Sequence, residues 1–367
     1  MKVLISRKDL RDTASGVPKK VLQELHFFTS LGHESYAIAE TLNEPMLKEF
    51  NGRPVKTLRW PFSGYFRRRF YQLQVQKWIN KNRPDLVIGH GDIIHQDVLF
   101  IHNCVHLAHE LIENQSLPKN HEVGRIHEEI LTRGKFKLLV CNSHMMKNDL
   151  VKRFQLDPLK VEVIYPEVNL SKFKVDDPER IKKEWREKLG VPTNAFVIGL
   201  VTSGNFKKRN LSLLIEAFKE IHKTHPEAHL FIAGGNIDQK YKDMISESVT
   251  FAPTLIDVKN YYYLLDVFCL PAHIEEFGRS VLEAMYCGKP VVTTKTVGAS
   301  EILEGSSRDF VMDSPDKKVL IEMLYKLFDP EFYNQVKEQN FNTSLKFTSE
   351  HQNKKFEEVL KSHKILL

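Results

Sequence analysis

The chain repeats one grammar in both halves: a short continuous apolar run, a polar loop, then an amphipathic stretch with helical spacing. Runs without polar alternation do not suit a sheet with one wet face. They fit parallel strands covered by helices on both sides. In the first half the runs are Lys2–Ser6, Leu86–Ile88, Val98–Ile101, Leu138–Val140 and Val161–Ile164. In the second they are Phe196–Val201, Leu230–Ala233, Val249–Ala252, Val267–Leu270 and Val291–Thr294. The first loop ends at Ser15-Gly16, and Pro18 stands in the first turn of a helix that aligns Val21, Leu22, Leu25, Phe28 and Leu31 before Gly32 stops it. Ser143 caps a helix through Phe154, and a further helix runs from Leu211 to His222. Asp176–Lys188 is so charged that it reads as a surface helix or linker, with a domain boundary near residues 168–190. The expectation is an α/β chain of two Rossmann-like domains, residues 1–168 and 169–345, with a last helix in 346–367 returning to the first. In such sheets ligands gather at the carboxyl ends of the strands.

Composition narrows the class. With 42% hydrophobic and 27% charged residues, the 367-residue chain is globular, and its length suits two domains. No apolar run is long enough to cross a bilayer, and the opening Met1-Lys2-Val3-Leu4-Ile5-Ser6 turns polar too soon for a signal peptide. Cys104, Cys141, Cys269 and Cys287 are scattered, without a C-x-x-C pair, which fits a reduced, cytoplasmic protein lacking a structural metal. The net charge of +6 suits anionic partners such as nucleotides or a phospholipid surface and does not choose between them.

The most informative segment is Pro271-Ala272-His273-Ile274-Glu275-Glu276-Phe277-Gly278-Arg279-Ser280-Val281-Leu282-Glu283-Ala284-Met285. An apolar strand enters a polar loop, and a helix opens near Gly278. Helix-start amides without backbone partners attract anions and hydroxyls, so Phe277, Gly278, Arg279 and Ser280 border a ligand site. Glu275, in front of that helix, is placed to accept from sugar hydroxyls. Glu283 sits among Val281, Leu282, Ala284 and Met285, where a carboxylate needs strong donors, and vicinal ribose hydroxyls are such donors. Either glutamate alone reads as an ordinary loop or helix residue. Both together, with Phe277-Gly278 between, do not. A second segment, Ser203-Gly204-Asn205-Phe206-Lys207-Lys208-Arg209-Asn210, lies between a strand and the Leu211 helix. A lysine–arginine cluster is usually solvated, but at a helix mouth it suits a diphosphate.

These segments resemble family 4 retaining glycosyltransferases. Glu275 and Glu283 match the E-x7-E signature, and Gly288-Lys289-Pro290-Val291 and Gly298-Ala299-Ser300-Glu301-Ile302 are similar to the family's following segments. The chain departs at Glu276 and Ala299, where the family usually has glycine. The resemblance implies a GT-B fold, two Rossmann-like domains facing across a cleft. It implies a nucleotide-sugar donor, a UDP-sugar first, with its diphosphate on Gly204, Lys208, Arg209 and the Gly16 loop. Asp97-Val98-Leu99-Phe100-Ile101-His102 resembles the lipopolysaccharide-core glucosyltransferase branch, with Asn103 in place of its second aspartate. It gives Glu275, His102 and Asp97 catalytic places, and Lys19, Lys20, Asn103 and His106 places toward the acceptor.

The implied reaction is retaining, metal-independent hexosyl transfer without a cofactor, from the nucleotide sugar to a cell-surface glycan or glycolipid. Lipopolysaccharide core is the first acceptor, and a capsular or lipid-linked glycan the alternative. A catalytically silent sugar-nucleotide binder is the non-enzymatic alternative. An epimerase is disfavoured by the E-x7-E helix. Arg59-Trp60-Pro61-Phe62-Ser63-Gly64-Tyr65-Phe66-Arg67-Arg68-Arg69-Phe70-Tyr71 reads equally as a peripheral contact with an anionic cytoplasmic membrane face or as a partly buried loop and helix. Nothing resembles a nucleic-acid-binding fold.

Overall fold

The computed structural model describes residues 1–11, 16–133, 135–235, 237–244, 246–255 and 257–366. It divides into two compact units, Met1–Glu110 with Asn114–Ile164 and Asn353–Leu367, and Leu111–Glu113 with Tyr165–Gln352.

The first unit is built on β1 (Lys2–Ser6), β2 (Glu34–Ala39), β3 (Arg53–Lys56), β4 (Leu86–Gly89), β5 (Val98–Phe100), β6 (Leu138–Cys141) and β7 (Val161–Val163). The strands pair parallel in the order β3-β2-β1-β4-β5-β6-β7, with Val3 opposite Ser35 and Leu86. Alternation along β1 sends its side chains to two cores. Val3 and Ile5 meet Val21, Leu25 and Phe28 of α1 (Gly16–Ser30), while Leu4 joins Ile38 and Val87 against Tyr71 and Val75 of α2 (Tyr65–Asn82). Phe356, Val359 and Leu360 of the terminal helix α6 (Ser349–Ser362) complete the first of these cores.

The second unit carries β8 (Phe196–Val201), β9 (Ala228–Gly234), β10 (Val249–Pro253), β11 (Val267–Leu270), β12 (Val291–Thr294) and β13 (Val311–Met312). The order β10-β9-β8-β11-β12-β13 repeats the open parallel pattern. The charged stretch after residue 176 is the helix α3 (Pro178–Leu189), capped by Asp177 and stopped by left-handed Gly190. Its Arg186 is buried rather than solvated. The guanidinium donates to the carbonyls of Leu264 and Ala195 and to Asp266 Oδ2 at 2.7 Å, pinning the helix to the sheet.

Among the described residues, no helix is long and apolar enough to cross a membrane.

Candidate active site

In the second unit, β8 ends in a loop that enters α4 (Leu211–Thr224), and β11 ends in the Pro271–Gly278 loop that enters α5 (Arg279–Tyr286). Both loops leave carboxyl ends of neighbouring strands, and the His273 amide donates to Lys208 O at 3.0 Å. The first loop turns through Gly204 at φ 129°, and Asn210 enters α4 left-handed at φ 55°. The second is stitched to the chain after β12: Glu275 N donates to Thr296 O, Gly298 N to Glu275 O and Ala299 N to Phe277 O. Gly278 stands at φ 91°, and a Cβ there would meet Val297 Cγ1 at 3.0 Å, so geometry and space both require glycine.

These turns gather Lys208, Arg209, Glu275 and Glu276. Lys208 Nζ lies 2.7 Å from Glu276 Oε2 and 3.6 Å from Glu275 Oε2. Arg209 Nη2 sits 2.8 Å from Glu275 Oε1, a charge contact outside hydrogen-bond direction. Burial pushes the Glu275 carboxyl above its ordinary pKa against the pull of Arg209 and Lys208. Burial alone would lower Lys208, yet Glu276 and Glu275 hold it above its usual value. On α5, Glu283 is half-buried and accepts from the Tyr262 hydroxyl at 2.6 Å. Phe277 is buried against Tyr165, whose hydroxyl donates to Glu301 at 3.0 Å.

In the first unit, His102 follows β5 at its carboxyl end. Its Nε2 lies 2.8 Å from His90 Nδ1, and His90 Nε2 lies 2.9 Å from Glu24 Oε2 on α1. The His90 and Glu24 side chains are fully buried. The His90, Phe100 and His102 rings are nearly parallel and mutually in contact, with His90 centred 5.2 Å from Phe100 and 5.1 Å from His102. Lys20 lies over the Phe100 ring. Burial, then His90, Arg7 and Lys20, holds His102 well below its ordinary pKa, so the ring is neutral.

Two family models account for nearly the whole chain: Glycosyltransferase Family 4 over residues 14–172 and Glycosyl transferases group 1 over residues 181–362. The chain belongs to the family 4 glycosyltransferases. Among relatives, it is 28% identical to a D-inositol 3-phosphate glycosyltransferase of Corynebacterium jeikeium over 61% of this chain and 58% of that protein. A namesake from Salinispora arenicola is 28% identical over 61% of the chain and 55% of its own length. The chain thus spans under two thirds of these relatives. The fold matches WaaG, a glycosyltransferase involved in lipopolysaccharide biosynthesis, with a TM-score of 0.79 and 17% identity over 97% of this chain and 99% of that one. It also matches Anabaena HepE in complex with UDP, with a TM-score of 0.77 and 18% identity over 99% and 100%. The architecture is therefore GT-B, with two Rossmann-like domains.

Set against this glycosyltransferase fold, the residues singled out from sequence sort clearly. In the second unit, Gly204, Lys208, Arg209, Glu275, Phe277 and Gly278 lie on the two joined loops, and Arg279, Ser280 and Glu283 lie on α5. Gly16 and Lys19 are exposed at the start of α1, while Ser15 lies outside the described residues. Asn103 is exposed beside His102. His106 lines a pocket with Lys119, Arg125, Glu128 and Arg153.

Asp97 is a correction. It sits at the amino end of β5, where Oδ2 accepts from the Val87 amide at 2.9 Å and Oδ1 pairs with Lys137 at 2.9 Å. That is the wrong end of the strand for a ligand, and its work is to join β4 to β5. The arginines after Phe66 follow the second of the two readings of their segment, a partly buried loop and helix. Arg67 pairs with fully buried Glu40, Arg68 with Asp92 and Glu122, and Arg69 with Glu129, so their charges are spent inside the unit.

Three further side chains belong with these groups: Glu24, His90 and Tyr262. Glu24 held a signal, a carboxylate on the apolar helix face between Val21 and Phe28. His90 and Tyr262 held none beyond their places after β4 and before β11. Among the described residues, no three His, Cys, Asp or Glu side chains gather as metal ligands.

Proposed function

We propose that this glycosyltransferase moves a hexose from a UDP-sugar to a hydroxyl of a cell-surface glycan, with retention and without a metal or cofactor. The observation that carries the reading is the meeting of Lys208 and Arg209 with Glu275 where two neighbouring strands end. In this reading the two cations and the amino end of α5 neutralise the leaving diphosphate, and that stabilisation of developing charge is the main source of rate. Glu283 takes the ribose hydroxyls, and Glu275 takes hydroxyls of the donor sugar. Fixed cations supply the charge a divalent metal supplies elsewhere, so chelator should leave turnover unchanged.

Lipopolysaccharide core is the acceptor of first choice, supported by the fold likeness to WaaG. A phosphate-bearing acceptor is a second reading. It is favoured by Lys119, Arg125 and Arg153 around the His106 pocket and by the D-inositol 3-phosphate relatives. Exposed Leu58, Phe62, Phe66 and Leu73 support contact with a lipid surface where a glycolipid acceptor is displayed.

A panel of nucleotide sugars screened by thermal stabilisation, then by slow donor hydrolysis without acceptor, tests the donor assignment. Stabilisation and hydrolysis with a UDP-sugar are expected. Stabilisation without hydrolysis would reduce the protein to a silent binder, and neither with any nucleotide sugar would overturn the donor assignment.

A further inference from the structure

The cations assigned to the donor diphosphate are already neutralised within the protein. Lys208 has Glu276 at 2.7 Å and Glu275 at 3.6 Å, and Arg209 has Glu275 at 2.8 Å. All four side chains are only 10–17% exposed. Two positive and two negative charges therefore cancel in a poorly hydrated corner.

An incoming nucleoside diphosphate adds at least two negative charges beside the same cations. In so poorly hydrated a corner each new like-charge contact is strongly unfavourable. The site does not hold both carboxylates and the diphosphate in contact with Lys208 and Arg209. One carboxylate must yield.

The two acids are not equivalent. Glu275 is fastened by its own backbone, donating to Thr296 O, accepting from Gly298 N and forming a bridge with Val297. Glu276 makes the shorter contact with Lys208, 2.7 Å against 3.6 Å for Glu275, and so holds the place nearest its ammonium.

We propose that Glu276 is a resident counter-anion of the diphosphate clamp. It occupies the phosphate's place on Lys208 in the empty site, is displaced when the donor enters, and competes for Lys208 again when the nucleoside diphosphate product must leave. The inference rests on Lys208 being a diphosphate ligand. Its consequence is a site tuned for turnover: weaker hold on donor and product, and faster product release, than the same site gives without this carboxylate.

Titration calorimetry with UDP and with uridine, on wild type, Glu276→Gln, Glu276→Gly and Lys208→Gln, tests this. Both Glu276 variants are expected to bind UDP about tenfold more tightly, the scale of one charged hydrogen bond. Uridine affinity should not move, and stopped-flow displacement should show slower UDP release. Unchanged or weaker UDP binding in both Glu276 variants overturns the proposal, while Lys208→Gln weakening UDP binding keeps the diphosphate assignment standing. If Lys208→Gln binds UDP as wild type does, the assignment itself fails and takes this inference with it.

Discussion

His90 Nδ1 lies 2.8 Å from His102 Nε2, and the other nitrogen of His90 lies 2.9 Å from Glu24 Oε2. In the tautomer in which His90 donates to Glu24 from Nε2, its Nδ1 accepts and His102 donates from Nε2. His102 Nδ1 is then left as an acceptor, fit for a sugar hydroxyl. Glu24→Gln unsettles this order because an amide donates as readily as it accepts. We expect kcat/KM for the donor sugar to fall about three- to tenfold, one hydrogen bond's worth, with UDP affinity unchanged. Loss of UDP affinity in parallel would mean that Glu24 serves only the fold.

Glu283 and Tyr262 make a second case. Glu283→Ala should weaken both uridine and UDP by roughly 1.5–3 kcal/mol, the range for a hydrogen bond to a charged group. The loss should be equal for the two ligands, because the ribose is common to both. A loss confined to UDP in calorimetry would move Glu283 to the phosphates.

Acid should destabilise the fold. Burial lowers the pKa of His127 from 6.5 to about 4. Between those values the unfolded chain holds the proton and the folded chain does not, so stability present above pH 6.5 is lost as pH falls toward 4. From pH 7 to pH 5 His127 alone should cost roughly 2 kcal/mol. Urea denaturation at the two pH values checks the sign, and equal or greater stability at pH 5 contradicts it.

The arginine–aromatic segment divides its labour. Arg67→Gln strands Glu40, which is fully buried, and should cost about 1–3 kcal/mol of stability. Replacing Phe62, Phe66 and Leu73 with serine should leave stability nearly unchanged and abolish sedimentation with anionic vesicles. Equal sedimentation of that variant and wild type removes the lipid contact.

The strands that carry the ligand loops were legible because burial on both faces makes β1, β5, β8 and β11 continuous apolar runs. Arg53–Lys56 and Val311–Met312 were not, since an edge strand needs little apolar sequence and these are short and mixed. The E-x7-E loop was legible because its chemistry is local in sequence. The Glu24–His90–His102 chain joins α1 to the segments that follow β4 and β5, and no spacing along the chain announces it. Asp97 misled because a motif gives a residue's neighbours without saying which end of the strand faces the ligand.

The central claim is that Lys208 and Arg209 hold the donor diphosphate, and the preference for UDP over uridine measures it directly. In a Lys208→Gln/Arg209→Gln variant with an unchanged far-UV spectrum, that preference should drop about a hundredfold or more, two charged hydrogen bonds' worth. Uridine binding should be retained. The same UDP-over-uridine ratio in the variant and the wild type would contradict the account.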